Sequence, residues 1–541
     1  MLTARRTNPR FRRIGLASAS ALTLGAAAAS AADCGSLAGK TFGPATVTSA
    51  TSVSPPSKFL GLNSGMPAAA SGPMCRVEGA IKTSSDSSPL FEVWLPPPGA
   101  WNGKYEGVGN GGFAGSIIYE SMDWALGGGY AVAGTDTGHS GTPFDSAWAA
   151  GHPEKIVDFG WRAIHETAAA AKAIVAAYYG KPPSHAYFSG CSDGGREALM
   201  EAQRFPGDYD GVVAGAPANY WTRLSVNSVA SDQALTATPD SWLSPAKLAL
   251  VSKAAVEACH GVDGIIDDPG QCHFDPSVLA CKGEASDACL SEPQLTALEH
   301  LYAGARDSNG KSINPGYPAG GESLPYAWPL WITGTEPKRI TATLLYAFEM
   351  GFFRDLVTGQ SNWDFRGQDL ADLLKQADAK MGGTINAVDP DLSAFRAAGG
   401  KLIQYHGWAD AAIPPATSIL YYDDVGAKMG GVQGLASFYR LFMAPGMQHC
   451  GGGLGPSAVG GVFGPNPPSR DPEHDLVSAL SHWVEDGVAP EKITATLYQD
   501  GDPSKGIAAQ RPWCAYPKVA QYNGQGRHSE AASFVCSAST K

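Results

Sequence analysis

The stretch "HAYFSGCSDGGREALMEAQRFP" (185–206) decides how the rest of the chain is read. Its opening run is apolar, aromatic and closed by a glycine, which predicts a strand ending at Gly190. From Gly194 the Ala, Leu, Met and Glu content predicts a helix, which Pro206 ends. Between them stands Gly190-Cys191-Ser192-Asp193-Gly194, a Gly-x-Ser-x-Gly on a strand-to-helix turn. A nucleophile elbow needs that context, because the sharp turn pushes the Ser192 hydroxyl out of the sheet. The letters alone would be weak, since a glycine-rich turn with an incidental serine spells the same pattern.

Outward from the elbow, short apolar runs alternate with helical segments, as an α/β architecture requires. "FEVWLP" (91–96), "YEGVG" (105–109), "GYAVAGTD" (129–136), "DGVVAG" (210–215), "KLIQYHG" (401–407) and "SFYRLFMAPG" (437–446) read as further strands. "DFGWRAIHETAAAAKAIVAAYYGK" (158–181) reads as one long helix, Ala-rich with apolar positions at helical spacing. The strand pattern breaks between about 219 and 397 and resumes at Lys401. An insertion between two halves of one sheet is the economical reading.

A serine hydroxyl is a poor nucleophile unless a base takes its proton and an acid orients that base. On an elbow of this kind the partners follow in the order Ser, Asp or Glu, His, on loops after later strands. "KLIQYHGWADAAIP" places Asp410 just past one strand, and "FYRLFMAPGMQHCGGG" places His449 just past the next. Of the twelve histidines, His449 is the best base because it lies in a Gly-rich loop after a strand. His406 competes, but its closeness to Asp410 suits core packing or hydrogen bonding. His474 and His482 fall on an expected surface helix. The oxyanion needs two backbone N–H donors: Asp193, after the nucleophile, and Gly111 or Gly112 in "VGNGGFAGS" (108–116).

Composition narrows the class. At 541 residues the chain is long enough for two to four domains. A net charge of −12 leaves no basic surplus for nucleic acid. The N-terminus carries Arg5, Arg6, Arg10, Arg12 and Arg13, then a mildly apolar run ending in Ala29-Ser30-Ala31. This is the pattern of an export signal over 1–31. Its removal takes the charge to about −17, since no acid precedes the cleavage point. The Arg-Arg pairs permit a twin-arginine route, though the residues after them match that signal weakly. No later segment has the roughly 20 apolar residues of a membrane span. All ten cysteines follow the signal, and an even number in an oxidising compartment predicts disulfides. No Cys-x-x-Cys occurs, which argues against zinc.

The motifs in order, 158–218 around the elbow, "TDTGHSG" (135–141), "YHGWAD" (405–410) and "PGMQHC" (445–450), resemble the tannase and feruloyl esterase family. That family also contains mono(2-hydroxyethyl) terephthalate hydrolases. The resemblance implies an α/β-hydrolase fold with a large inserted lid domain. The domains would then be 1–31 signal, 32–222 core with the elbow, 223–396 lid, and 397–541 core with Asp410 and His449. It implies a disulfide Cys191–Cys450 beside the triad, and the pairs Cys34–Cys75, Cys259–Cys272, Cys281–Cys289 and Cys514–Cys536. Neighbours of a hydrogen-bonded Ser192 and His449 can meet the Cα separation of about 4.4–6.8 Å that a bridge needs. The chemistry needs no cofactor. Relatives carry a structural calcium loop in the lid, but "CHGVDGIIDDPGQC" (259–272) is shortened and has His260 after the cysteine. With Asp263, Asp267 and Asp268 as its carboxylates, a metal-free loop is at least as good a reading, since calcium wants six to eight oxygens.

The function expected is a secreted or periplasmic serine carboxylesterase acting on small aromatic esters such as phenolic esters of cell-wall or tannin origin. The alternatives are a terephthalate-type monoester hydrolase, a secreted peptidase, and a non-catalytic binding protein. Trp328, Trp331, Phe348, Phe352 and Phe353 could wall an acyl pocket, with lid-core packing the better reading for most. Arg354 could meet a substrate carboxylate.

Overall fold

The computed structural model describes residues 32–55, 57–62, 67–337, 340–460 and 464–539. The segment 1–31, read as an export signal, lies outside them. Ten strands form one sheet: β1 (Thr41–Phe42), β2 (Ala45–Val53), β3 (Met74–Ile81), β4 (Leu90–Leu95), β5 (Tyr105–Val108), β6 (Ala131–Thr135), β7 (Ala186–Cys191), β8 (Gly211–Gly215), β9 (Lys401–Gly407) and β10 (Tyr439–Ala444). Their spatial order is β1-β2-β3-β4-β6-β5-β7-β8-β9-β10. The first four and β6 pair antiparallel, and from β6 through β10 every pairing is parallel. The seven apolar runs read as strands lie in this parallel half and in β4. Every residue of β7 and β8 is buried, as expected of parallel strands covered on both faces.

The long helix read at 158–181 falls in a helical run from Pro153 that ends at Tyr179, two residues short of the expected end. Its last part, α1 (Ala163–Tyr179), buries Ile164, Ala168, Ala171, Ile174 and Val175 against the sheet. Gly180 ends it at φ 73°, a left-handed position suited to glycine. The elbow helix α2 (Asp193–Arg204) packs between β7 and β8.

Between β8 and β9 the described elements are helices and short turns. They bury two cores, one around Phe352, Phe353 and Trp363 that is shared with Phe113, Trp148 and Phe159, another around Leu248, Leu298 and Trp328. The helix α3 (Trp221–Leu235) starts two residues before the boundary expected at 223. A second helix of this region, α4 (Leu344–Gly351), packs against it. Beyond β10, a hairpin (Lys492–Tyr498 with Ile507–Cys514) and a smaller pair (Lys518–Tyr522 with Phe534–Ala538) close the chain. Among the described residues, no helix is long and apolar enough to cross a membrane.

The ten cysteines form five disulfides: Cys34–Cys75, Cys191–Cys450, Cys259–Cys272, Cys281–Cys289 and Cys514–Cys536.

Candidate active site

Ser192 stands at the end of β7 with φ 65° and ψ −119°, a conformation that costs a non-glycine residue about 1–3 kcal/mol. The surrounding backbone enforces it. The Ser192 N–H donates to Gly215 O at 2.9 Å, and its carbonyl accepts from Ala218 at 3.0 Å and Arg196 at 3.1 Å. Crowding explains the glycines. A Cβ on Gly190 would lie 2.5 Å from the Gly194 backbone, and one on Gly195 would lie 2.2 Å from Gly215 O.

Asp193 opens α2, so its N–H has no acceptor within the helix. Its side chain is turned inward to Arg196, Oδ1 to Nε 2.6 Å, with both groups buried. Arg196 also donates to the Gly160 and Phe159 carbonyls, at 2.6 and 3.0 Å, and packs over the Phe159 and Trp221 rings. The loop after β5 faces the elbow. Gly112, at φ 58° and against Pro143, lines the same cavity as Ser192, and Gly111 does not. Asn110 holds this loop: its N–H donates to buried Glu197 at 2.8 Å, and its amide to the Ser116 and Thr135 carbonyls at 2.8 Å each.

His449 enters from the loop after β10 and also lines the cavity. Its Nδ1 lies 2.8 Å from Asp410 Oδ2, which leaves Nε2 as the ring nitrogen with a lone pair. Asp410 is 2 % exposed. Its Oδ1 accepts from the N–H groups of Ala412 and Ile413, at 2.8 and 2.9 Å. Oδ2 is shared with His406 Nε2 at 3.1 Å. Nε2 of His406 also faces the Ile413 carbonyl at 3.1 Å, so it carries the proton, and Nδ1 accepts from Ser418 at 2.7 Å. Burial alone would raise the Asp410 pKa, but the charge of His449 and the hydrogen bonds of both histidines hold it far below the carboxylate range.

The bridge from Cys191 to Cys450 fixes the neighbours of Ser192 and His449 at a Cα separation of 5.9 Å. Cys450 itself sits at φ 62°. Two loops from strands that are not adjacent in the sheet are thereby tied together at their tips.

The cavity is narrow, with a volume of about 50 Å³. Trp221, Trp331 and Phe348 form its aromatic walls, and the Trp331 ring meets His449 edge-on at 5.3 Å. Trp328, Phe352 and Phe353 do not line it; they are buried in the cores that back its walls. Arg354 does not line it; its guanidinium forks onto Asp355 with two contacts of 2.7 Å.

The loop 259–272 does not fit a calcium ion. Asp267 already takes a cation, Arg511 Nη1 at 2.6 Å, and Asp268 accepts from Ser539 at 2.6 Å. Asp263 lies exposed in the turn between the bridged residues Val262 and Ile265. A guanidinium in the donor set repels a divalent ion and leaves too few free carboxylates.

A family model described as "Tannase and feruloyl esterase" matches residues 75–537. An uncharacterized esterase of Xanthomonas campestris pv. campestris is 39 % identical over 533 residues, covering 94 % of this chain and 92 % of its own. "Probable feruloyl esterase B-2" of Aspergillus terreus is 33 % identical over 477 residues, 86 % of each chain. The crystal structure of feruloyl esterase B from Aspergillus oryzae superposes with a TM-score of 0.83 at 29 % identity, covering 92 % of this chain and 98 % of that one. The fold is therefore that of the α/β-hydrolases, and the chain belongs to the tannase and feruloyl esterase family of carboxylic ester hydrolases.

Proposed function

We propose that this chain is an exported serine esterase that hydrolyses esters of phenolic aromatic acids through Ser192, His449 and Asp410. The observation that carries the reading is the relay Asp410–His449, which opens beside Ser192 into one aromatic-walled cavity. Ser192 Oγ adds to the ester carbonyl as His449 Nε2 takes its proton. The N–H groups of Asp193 and Gly112 receive the oxyanion. Collapse expels the alcohol, protonated by His449, and leaves an acyl group on Ser192. Water then enters by the same steps in reverse roles, and the acid leaves. Asp410 stays ionised throughout and keeps Nδ1 of His449 protonated.

In this reading the helical segment 223–396 is the lid that supplies the acyl side of the pocket. Five disulfides support an oxidising compartment, hence secretion or the periplasm. The terephthalate-type alternative is less well supported. Its substrate ends in a carboxylate, and the residues described around the cavity include no Lys or Arg.

The test is a panel of methyl ferulate, p-nitrophenyl acetate and a peptide amide, with Ser192→Ala alongside. The phenolic ester should be turned over, the amide should not, and Ser192→Ala should lose about 10⁴-fold or more in kcat/KM. Activity surviving in Ser192→Ala would overturn the mechanism.

A further inference from the structure

The helix α3 begins at the elbow, where the Ala218 N–H is bonded to the Ser192 carbonyl, and runs away from it. Trp221, Ser225 and Ser228 lie on one face of this helix and line the cavity. Asp232 is the next residue on that stripe, about 16 Å from Trp221 at 1.5 Å per residue. From the opposite side α4 contributes Leu345, Phe348 and Glu349 to the wall. Glu349 thus lines the part of the cavity built by helices, and Asp232, which does not line it, stands against Glu349 from behind.

These two carboxyls are out of place by ordinary rules. Both are 0 % exposed, and none of their four oxygens has a well-aligned hydrogen bond to any described group. Each stands within range of the other. A buried carboxyl without a cation is normally neutral, because ionisation there is expensive. Burial pushes both groups up, and the neighbouring carboxyl pushes Glu349 further. Two neutral carboxyls hold two acidic hydrogens, one able to bridge the pair and one left to donate. The serines point the other way chemically. Ser225 and Ser228 donate to the carbonyls of Trp221 and Leu224, at 3.0 and 3.2 Å, so they offer the cavity only lone pairs.

Resting on the esterase reading above, we propose that Glu349, neutral and backed by Asp232, reads the ring hydroxyl of a phenolic acyl group. A phenol both donates and accepts, and so does a protonated carboxyl, so the two can exchange a reciprocal pair of hydrogen bonds. An acyl group ending in hydrogen leaves the carboxyl unpaired. One ending in a carboxylate could accept the single Glu349 hydrogen, but its charge would be buried beside lone pairs with no cation. Selection would then favour 4-hydroxy over unsubstituted and over 4-carboxy acyl groups, because a buried polar site rejects a partner that cannot pair with it.

The unmodified enzyme gives the first test, with methyl esters of 4-hydroxy-, unsubstituted and 4-carboxycinnamic acid. The expected kcat/KM ratio of hydroxy to unsubstituted is at least about tenfold, with the carboxy ester the poorest. Equal turnover of the three would overturn the proposal while leaving the esterase reading intact. Loss of all three, with p-nitrophenyl acetate still hydrolysed, would instead sink the phenolic reading itself. The second test compares Glu349→Gln with Glu349→Met. Gln keeps a donor and an acceptor, so the ratio should stay within about threefold of the parent; Met has neither, so it should fall by about tenfold. A ratio that survives Glu349→Met would assign the selectivity elsewhere.

Discussion

Asp410 and Asp232 are two buried aspartates, one behind His449 and one behind Glu349 of the same cavity wall, and their surroundings push their pKa values in opposite directions. Asp410 lies past a sheet strand, where two turn N–H groups and two histidines converge on its oxygens. Asp232 lies on an inserted helix, where its nearest polar neighbour is another acid. Burial acts on both in the same direction, so the difference lies in donors. The sheet end supplies fixed N–H groups that stabilise charge. The helical end supplies side chains whose backbone donors are already used within the helix, so charge there has nothing to meet. In the proposed mechanism one pocket thus pairs an anion with the cation formed on His449, and sets neutral acids where the phenolic ring would be read.

The strongest way to break this contrast is Asp410→Asn. The amide can no longer hold His449 in the required tautomer, and kcat should fall by about 10⁴-fold with little change in KM. A loss below about tenfold would mean that Asp410 does not orient His449.

Replacing Cys191 and Cys450 together by serine should be the next largest effect. The closed loop spans 259 residues, so melting should reveal a loss of about 2–5 kcal/mol. At a temperature where the variant is folded, kcat should still fall by about tenfold or more, because the base is no longer fixed to the nucleophile. Full kcat in the folded variant would reduce the bridge to a stability device.

The smallest effect concerns stability and pH. Asp232 is pushed up to about 8 in the folded chain, against about 3.9 when unfolded. Between those values the native state holds a proton that the unfolded state has lost, so stability falls as pH rises. Glu349 acts in the same direction, and Asp364, which also faces it, is unchanged by the test. The double variant Asp232→Asn, Glu349→Gln should lose less Tm than the parent between pH 5 and 8. Parallel slopes would contradict the neutral pair. Asp410 has the opposite sign, its stabilisation being complete above about pH 4 and lost only on acidification.

The sheet end of the site was legible in the sequence and the helical end was not. Ser192, Asp410 and His449 each follow an apolar run, and those runs read correctly because buried parallel strands are short, continuous and bounded by glycine. His406 stood four residues before Asp410, and the core role weighed for it is where it lies, orienting the carboxylate. By contrast, β2 is rich in Ala, Thr and Ser, and β3 is interrupted by Arg76 and Glu78, so neither shows a clear apolar run. The carboxyl pair was invisible because Asp232 and Glu349 are 117 positions apart on amphipathic-looking helices, where an acid ordinarily marks the solvent face. The loop 259–272 shows the same limit. Its shortening was readable, but the cation that occupies it, Arg511, comes from a hairpin 244 residues away.

The most direct measurement of the central claim is to trap the acyl group. The enzyme is mixed with methyl 4-hydroxycinnamate, quenched in acid within its turnover time, digested and mapped by mass spectrometry. One 4-hydroxycinnamoyl adduct is expected, on the peptide carrying Ser192, absent from Ser192→Ala. Turnover without an adduct, or an adduct on another residue, would contradict it.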